Sequence, residues 1–247
     1  MRDTDADWQA ISASEPYYGV LTHPNFLRAN MTEQARRDFF ATGDHDVQDL
    51  LATIRARIAL DFKPQHAIDF GCGVGRLSLA MAHYARHVTG IDVSPTMLSE
   101  AEQERQARGA TNVSFRSDLP SPGYDWVNSY LVFQHILPER GYDLLAALLD
   151  GLSADGIASI HLTAFRTVAN LGGNLDDIAL LTFDGRRVDT VHPVTAPTVG
   201  SMRMYDYDMT RVLAIFITAG LRLLWLQHLD HAGHHAFRIV AQKAKGP

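Results

Sequence analysis

The sequence lacks the usual marks of secreted and membrane proteins. It contains one cysteine, Cys72, so no disulfide can form within the chain, and its first ten residues, MRDTDADWQA, have no apolar core of the kind found in secretion signals. No apolar run approaches the roughly 18 to 20 residues needed to cross a bilayer. The most apolar stretch, 212–226, is interrupted by Arg222. These absences predict a cytoplasmic protein without membrane insertion.

An excess of positive charge is also missing. The chain has 22 Lys and Arg residues against 28 Asp and Glu residues, for a formal net charge of -6. Proteins held to nucleic acid by phosphate contacts need clustered Lys and Arg. The pair at 186–187 is too small a cluster for that role, so the composition predicts no nucleic-acid partner.

Beyond Pro64, short strand-like runs alternate with helical patterns, which is typical of a mostly parallel sheet with helices on both faces. The predicted strands are 67–70, 88–91, 113–116, 126–131 and 157–162, and the predicted helices are 75–85, 95–108 and 138–152.

Further elements flank this alternation. A helix is predicted over 46–60, after a turn at 42–44, and another over 208–219. The last two strands, 221–229 and 236–242, are separated by a short linker and should pair antiparallel. The complete pattern predicts an α/β three-layer sandwich with a seven-stranded, mostly parallel sheet and an antiparallel C-terminal strand.

The stretch 68–76, IDFGCGVGR, runs from an apolar strand into three glycines at alternate positions and then into a helix. Glycines permit a sharp turn and close approach of a ligand, and the helix N-terminus favours a negatively charged group. A dinucleotide-binding fingerprint would place its third glycine at the position of Arg76. The spacing therefore argues against NAD or FAD.

A second acidic signal follows about 20 residues later, where the strand 88–91 ends at Asp92. A carboxylate at the tip of the second strand can accept hydrogen bonds from both hydroxyls of a ribose. Together the glycine turn and Asp92 indicate a nucleoside-like ligand.

The runs IDFGCGVG (68–75) and GIDVSPTML (90–98) together resemble the first two motifs of class I S-adenosylmethionine-dependent methyltransferases. The resemblance spans roughly 65–164, and the last strand pair extends it to 242. It implies a Rossmann-like fold, S-adenosylmethionine as cofactor and S-adenosylhomocysteine as product. As a single domain, the chain would divide into a helical cap (1–64), a cofactor-binding core (65–164), a lid or acceptor insertion (165–206) and a last helix with a β-hairpin (207–247).

The resemblance also implies site residues. The methionine and ribose would be bound by Asp69, Gly71, Cys72, Gly73, Gly75, Asp92 and Val93, the adenine by Met97, Ser117, Asp118 and Leu119, and the pocket would be completed by Tyr130 and by the N-terminal aromatic Tyr17. Two of these residues also have a structural interpretation. Asp118 could instead cap a turn before Pro120, and Cys72 could be a small apolar residue that fills space in the loop.

Methyl transfer from a sulfonium is an in-line displacement in which the protein mainly aligns the reactants and excludes water. A hydroxyl acceptor needs a general base, and a histidine with a near-neutral pKa suits that role. His135, after the fourth strand, is the first candidate catalytic residue, although it could also be a structural histidine. His161 and His192 are the next candidates.

The acceptor is less clearly indicated. Residues 128–131, NSYL, lack the Pro-Pro-aromatic sequence associated with methylation of exocyclic amines, so a small-molecule acceptor is favoured. The segment 202–207, MRMYDY, could form an acceptor wall or simply pack. No metal is predicted, because the histidines of the last hairpin have no carboxylate or cysteine at ligand spacing. An NAD(P)-dependent oxidoreductase and a non-catalytic S-adenosylmethionine-binding protein are the alternatives, and a homodimer is left open.

Overall fold

A computed structural model describes residues 4–170, 180–191 and 202–245. Residues 171–179 and 192–201 of the predicted insertion, with His192 among them, lie outside these residues. The described helices are α1 (Asp5–Ser14), α2 (Pro16–Val20), α3 (Glu33–Arg57), α4 (Arg76–Met81), α5 (Pro95–Ala107), α6 (Pro138–Asp150) and α7 (Met209–Thr218). The strands are β1 (His66–Phe70), β2 (His87–Ile91), β3 (Val113–Arg116), β4 (Tyr124–Ser129), β5 (Leu152–Thr167), β6 (Leu180–Phe183), β7 (Val188–Val191), β8 (Leu221–His231) and β9 (His234–Lys243).

Helix α3 differs most from its prediction. It begins at Glu33, where the Thr32 side chain accepts a hydrogen bond from the Ala35 backbone amide at 3.1 Å. The turn predicted at 42–44 is wrong, because Gly43 lies inside the helix. A Cβ on Gly43 would stand 2.5 Å from the Arg76 backbone oxygen, so glycine is needed here for close packing against α4 and not for a turn.

The sheet has the order β3-β2-β1-β4-β5, and neighbouring strands in this run are parallel. Strand β9 pairs antiparallel with β5, and β8 pairs antiparallel with β9, so the last strand of the chain lies between β5 and β8. The predicted alternating topology and terminal antiparallel pair are therefore confirmed.

The insertion adds two strands that the weak periodicity of the sequence did not reveal. β6 and β7 form an antiparallel hairpin, and β6 pairs with the end of β5, where Arg166 lies opposite Thr182. β5 is correspondingly longer than the predicted 157–162. The described sheet has nine strands, not seven.

Apolar side chains fill the spaces on both faces of the sheet. Ala67, Trp126 and Val240 belong to the core on the α3 and α4 side, whereas Ile68 and Ile160 belong to the core on the α6 and α7 side. The chain thus forms three layers. The direction of strand addition reverses between β1 and β4, and ligands of such sheets bind in the crevice beyond the carboxyl ends of these strands. No helix within the described residues is long and apolar enough to cross a membrane.

Candidate active site

A cavity of about 290 Å³ lies beyond the carboxyl ends of β1, β2 and β4 and is covered by α1. Twelve of the fourteen predicted site residues line it, namely Asp69, Gly71, Cys72, Gly73, Asp92, Val93, Met97, Ser117, Asp118, Leu119, Tyr130 and His135. Tyr17 and Gly75 do not. The topology thus brings together residues of β1, of the loops after β1, β2, β3 and β4, of α5 and of a 3-10 turn.

The glycine turn forms one wall of this cavity. Gly71, Gly73 and Gly75 have φ angles of 75°, 52° and 84°, in the left-handed region that favours glycine. The Gly71 amide donates to the Ile91 carbonyl at 2.7 Å, which ties the turn to β2. Gly75 precedes α4 and packs beneath the turn, where an added Cβ would meet the Phe115 ring at 3.0 Å. Its role is therefore to shape the turn from outside the cavity.

Asp92 stands at the end of β2 with both carboxylate oxygens held. One accepts the Gly73 backbone amide at 2.9 Å and the other accepts the Ser94 backbone amide at 2.9 Å. Burial raises the pKa of the Asp92 carboxyl, although the two backbone hydrogen bonds act in the opposite direction. Each oxygen keeps a lone pair, so Asp92 can still accept hydrogen bonds from a ligand in the cavity.

Asp69 is a second carboxylate on the cavity wall, and it is buried, at 2% exposure. It accepts a hydrogen bond from the Ser78 hydroxyl at 2.6 Å and a longer one from the Asn128 amide at 3.3 Å. The Ser159 hydroxyl donates in turn to the Asn128 side-chain oxygen at 2.8 Å. Burial raises the pKa of Asp69, and these donors oppose the effect. Two carboxylates in one cavity favour a ligand that carries positive charge.

Asp118, at the opposite end of the cavity, is exposed and accepts a hydrogen bond from Arg116 Nε at 3.1 Å. This hydrogen bond lowers the pKa of the Asp118 carboxyl. Asp118 therefore forms an ion pair with Arg116, the last residue of β3. This contact differs from the alternative in which Asp118 caps a turn before Pro120. Met97 is buried nearby on α5, and its backbone amide donates to the Ser94 hydroxyl.

His135 lies on a short 3-10 turn after β4 and is 7% exposed. Its Nδ1 stands 2.6 Å from the Arg203 backbone carbonyl, and since a carbonyl only accepts, Nδ1 carries the proton. Nε2 therefore holds a lone pair, which the Gln134 amide approaches at 3.3 Å. Burial lowers the pKa of His135 to about 4, below the near-neutral value that suits a general base.

Leu131, which comes shortly after β4 and before the 3-10 turn of His135, has a φ of 62° and lines the cavity. A left-handed conformation at a residue other than glycine costs roughly 1–2 kcal/mol. Such strain often occurs at functional sites, where the surrounding fold maintains it. The consequence here is a sharp bend that turns the chain after β4 across the top of the cavity.

The aromatic residue that covers the cavity is Trp8, not Tyr17. Tyr17 is buried among core residues, and its hydroxyl donates to Glu104 at 2.6 Å. Trp8, on α1, lines the cavity and sets its ring edge-on to His135, with ring centroids 4.8 Å apart. An N-terminal aromatic residue is expected here from the sequence, but the prediction assigned it to Tyr17, and no local signal pointed to Trp8. An ion pair of 2.6 Å between Asp5 and Arg140 crosses the cavity mouth.

The segment 202–208 packs behind His135. Arg203 forms a buried ion pair with Asp7 of α1, at 3.1 Å. Asp206 receives two hydrogen bonds from Arg166, at 2.9 and 2.8 Å, and both side chains are at most 2% exposed. Tyr207 donates to the Ile136 carbonyl. These residues pack and do not line the cavity, so the structure favours the packing interpretation of 202–207.

His161, the second predicted base, is fully buried outside the cavity, with its Nε2 3.1 Å from His231 Nε2. His228 and His235 form a second pair at 3.0 Å. Among the described residues no group of three or more His, Cys, Asp or Glu side chains is placed to hold a metal ion.

The family described as "Methyltransferase domain" matches residues 67–156. The 23S rRNA (uracil(747)-C(5))-methyltransferase RlmC of Vibrio cholerae is 34% identical over 79 residues, which are 32% of this chain and 21% of that protein. An uncharacterized methyltransferase of Staphylococcus carnosus is 24% identical over 138 residues, 56% of this chain and 62% of that protein. The match thus spans only about a fifth of the length of the rRNA enzyme.

Among solved structures, magnesium protoporphyrin IX methyltransferase from Synechocystis PCC 6803, with bound S-adenosylhomocysteine, superposes with a TM-score of 0.63 at 18% identity. The superposition covers 98% of this chain and all of that one. The sheet order, the glycine turn and the acidic residue ending β2 define a Rossmann-like α/β domain with a nucleoside-type site. Residues 67–156 match a methyltransferase domain, and the chain shares the Rossmann-like fold of the solved methyltransferase.

Proposed function

We propose that this protein transfers a methyl group from S-adenosylmethionine to a small-molecule acceptor. The observation that carries the proposal is the cavity wall, where a glycine turn, the buried carboxylate of Asp69 and the partly buried carboxylate of Asp92 face the same space. S-adenosylmethionine joins an adenosine to a cationic sulfonium. A ribose would be held by Asp92, and the positive charge would be balanced by the carboxylates.

The cavity offers a role for each end of the cofactor. Asp92 would accept hydrogen bonds from the ribose hydroxyls, because its two oxygens are fixed by backbone amides. Asp69 and the glycine turn would contact the methionine part. The adenine would lie at the opposite end, beside Met97, Leu119 and Asp118.

The same wall argues against a nicotinamide cofactor. A dinucleotide places a pyrophosphate against the glycine turn. Here the buried Asp69 carboxylate lies directly before that turn and would repel it. The oxidoreductase alternative therefore fits the cavity less well than methyl transfer does.

When bound, S-adenosylmethionine supplies an electrophilic methyl group on a sulfonium. The protein must then align the acceptor and exclude water. Trp8 and α1 cover the cavity, which serves the second task. Leu131 and Tyr130 border the end where β4 terminates and are placed to position the acceptor.

His135 is the proposed general base for a hydroxyl acceptor. The Arg203 carbonyl fixes its tautomer and orientation, as a carbonyl or carboxylate does for many catalytic histidines. With a pKa of about 4, the ring is neutral at pH 7, and its Nε2 can accept a proton by exchanging its long contact with the Gln134 amide. A weak base suffices, because a hydroxyl that gains a methyl group becomes strongly acidic.

Two observations support a small molecule over an RNA acceptor. Arg140 at the cavity mouth is paired with Asp5, and Arg116 is paired with the cavity-lining Asp118, so these arginines offer little attraction to phosphates. Methylation of a uracil carbon would also call for a nucleophile that adds to the ring, such as a thiolate. The single cysteine, Cys72, is buried, and burial raises the pKa of its thiol well above the ordinary value.

The first test is thermal unfolding with S-adenosylmethionine, S-adenosylhomocysteine or NADH. A ligand at about 100 times its dissociation constant should add roughly 2.7 kcal/mol to the free energy of unfolding. For a chain of this size that corresponds to a rise in Tm of about 5–10 °C. We expect the rise with both sulfur compounds, and its loss in Asp92→Ala. A rise with NADH alone would refute the proposal.

Asp155→Ala is the matched control, because Asp155 is an exposed carboxylate on β5, outside the cavity lining. Turnover is tested separately, by formation of S-adenosylhomocysteine with a panel of small hydroxyl, amine and carboxylate acceptors. His135→Gln should slow only the hydroxyl acceptors. Cofactor binding without turnover on any acceptor would favour a non-catalytic binding protein.

A further inference from the structure

Polar side chains on β5, β8 and β9, together with one residue just after β4, share one face of the sheet next to the cavity. His161 on β5 lies directly opposite Arg238 on β9, and Arg238 lies opposite Gln227 on β8. Directly opposed residues project from the same face of a sheet and contact each other. Tyr130, after β4, joins this row, since its ring lies 5.1 Å from the His161 ring and 4.8 Å from the Arg238 guanidinium.

Arg238 is the cation of this row, and its charge is not balanced by a carboxylate. Within residues 4–170, 180–191 and 202–245, no Asp or Glu oxygen lies within 4.0 Å of its guanidinium nitrogens, and the guanidinium lies over the Tyr130 ring. By contrast, Arg76 and Arg140, which line the cofactor cavity, are paired with Asp46 and Asp5. A half-buried guanidinium with its donors unused is suited to bind an anion, because its planar fork matches a carboxylate or phosphate.

The neighbouring histidines do not cancel this positive charge. His161 and His231 face each other through Nε2 atoms 3.1 Å apart, so only one of these two atoms carries a proton. Burial, with smaller effects from His231 and Arg238, lowers the pKa of His161 to about 3. Both rings are therefore neutral at pH 7, and neither supplies negative charge to Arg238.

The row borders the cofactor cavity. A smaller cavity is lined by Arg238, Asn128 and Ser159, and it shares Tyr130 and Leu77 with the larger one. The Tyr130 ring is thus the wall between the two spaces. Asp46 also borders the smaller cavity, but its carboxylate is bound by Arg76 at 2.6 Å.

We propose that Arg238 binds an anionic group, a carboxylate or a phosphate, of the methyl acceptor. The acceptor would place its anionic group at Arg238 and extend past the Tyr130 ring toward the cavity end near His135. This inference rests on the proposed methyl transfer, because only that function makes the bound anion part of a methyl acceptor. The preference of Arg238 for an anion follows from its surroundings alone.

The test uses three small probes that share a phenyl ring: benzoate, phenyl phosphate and neutral benzamide. Their dissociation constants are measured by ligand-observed NMR titration with and without S-adenosylhomocysteine. We expect one or both anions to bind at least tenfold more tightly than benzamide. Arg238→Gln should abolish that preference, and Arg238→Lys should retain part of it. The stronger of the two anions identifies the group as carboxylate or phosphate.

Arg222→Gln is the matched control, because it removes the same charge from an exposed arginine of β8 whose guanidinium donates only to backbone carbonyls. Unfolding temperatures show whether each variant is folded. Equal binding of the anions and benzamide, or an anion preference that survives in Arg238→Gln, would overturn the inference. So would Arg238-dependent binding of a short RNA oligonucleotide when neither small anion binds.

The two proposals fail separately. If S-adenosylhomocysteine does not bind, the proposed function fails, while the titrations without it still decide whether Arg238 prefers anions. If S-adenosylhomocysteine binds and the anions do not, only the inference about Arg238 is wrong.

Discussion

Replacing Asp206 by Asn should be among the most destabilising single substitutions in the described part of the chain. The change leaves the Arg166 guanidinium, which is 2% exposed, without its carboxylate partner. Breaking a buried ion pair by removing one partner costs roughly 3–5 kcal/mol. For a chain of this length the corresponding fall in Tm is about 6–20 °C. The remaining contact of Arg166, with the Met204 carbonyl at 3.2 Å, offsets little of this cost.

Losing the Asp206–Arg166 ion pair should also disturb the orientation of His135, the proposed base. Asp206 holds the segment whose Arg203 carbonyl accepts the His135 hydrogen bond. Urea unfolding followed by circular dichroism measures the free energy. The double variant Arg166→Met/Asp206→Leu, which removes both charges, should lie within about 2 kcal/mol of the wild type, because no charge is left buried alone.

Asp189→Asn is the control for this pair, because it breaks an exposed ion pair, Arg187–Asp189, and should change stability by less than about 1 kcal/mol. The reasoning is refuted if Asp206→Asn loses less than about 1 kcal/mol, or if the double variant is as unstable as the single one.

Three further predictions concern the packing, a turn and pH. Replacing glycine by alanine ordinarily stabilises a helix. Gly43→Ala should instead lower the free energy of unfolding in urea by about 1–3 kcal/mol, because the new Cβ would stand 2.5 Å from the Arg76 backbone oxygen. A higher free energy of unfolding would contradict this packing. Ala232→Asn, at a φ of 54° before Gly233, should raise stability by about 0.5–1 kcal/mol, and a lower Tm would count against the turn geometry. The folded pKa of His135, about 4, lies below its unfolded value of about 6.5, so its contribution to stability is full above pH 6.5 and is lost as pH falls toward 4. Between pH 7 and 5 the wild type should lose about 2 kcal/mol more than His135→Gln, and equal losses would exclude this origin.

The sequence predicted the parts of the fold that local patterns encode. The strand 113–116 has its predicted bounds, and β1 and β2 differ by one residue at their first residue, because short apolar runs between turn signals are read directly from the chain. Most of the predicted cofactor residues share one cavity because they follow the ends of adjacent parallel strands, where topology brings neighbours together.

Other features depended on contacts between distant residues. Nothing local distinguishes a glycine that ends a helix from Gly43, whose position is explained by the backbone of α4. The choice of Trp8 over Tyr17 depends on how α1 crosses the cavity, and the unpaired charge of Arg238 depends on which strand β9 joins. The low pKa of His135 likewise follows from burial, which only the tertiary structure determines.

The position of β9 constrains the order in which the sheet can be completed during synthesis. β5 ends at Thr167, but the strand that pairs along its edge begins only at His234. Until that strand emerges from the ribosome, β5 presents an open apolar edge of the kind that pairs with other chains. The strands that form the cofactor wall, β1 to β4, are complete well before. Such a nascent chain would have β1 to β4 formed while its other edge still needed protection, and early binding of the proposed cofactor would stabilise it during that interval.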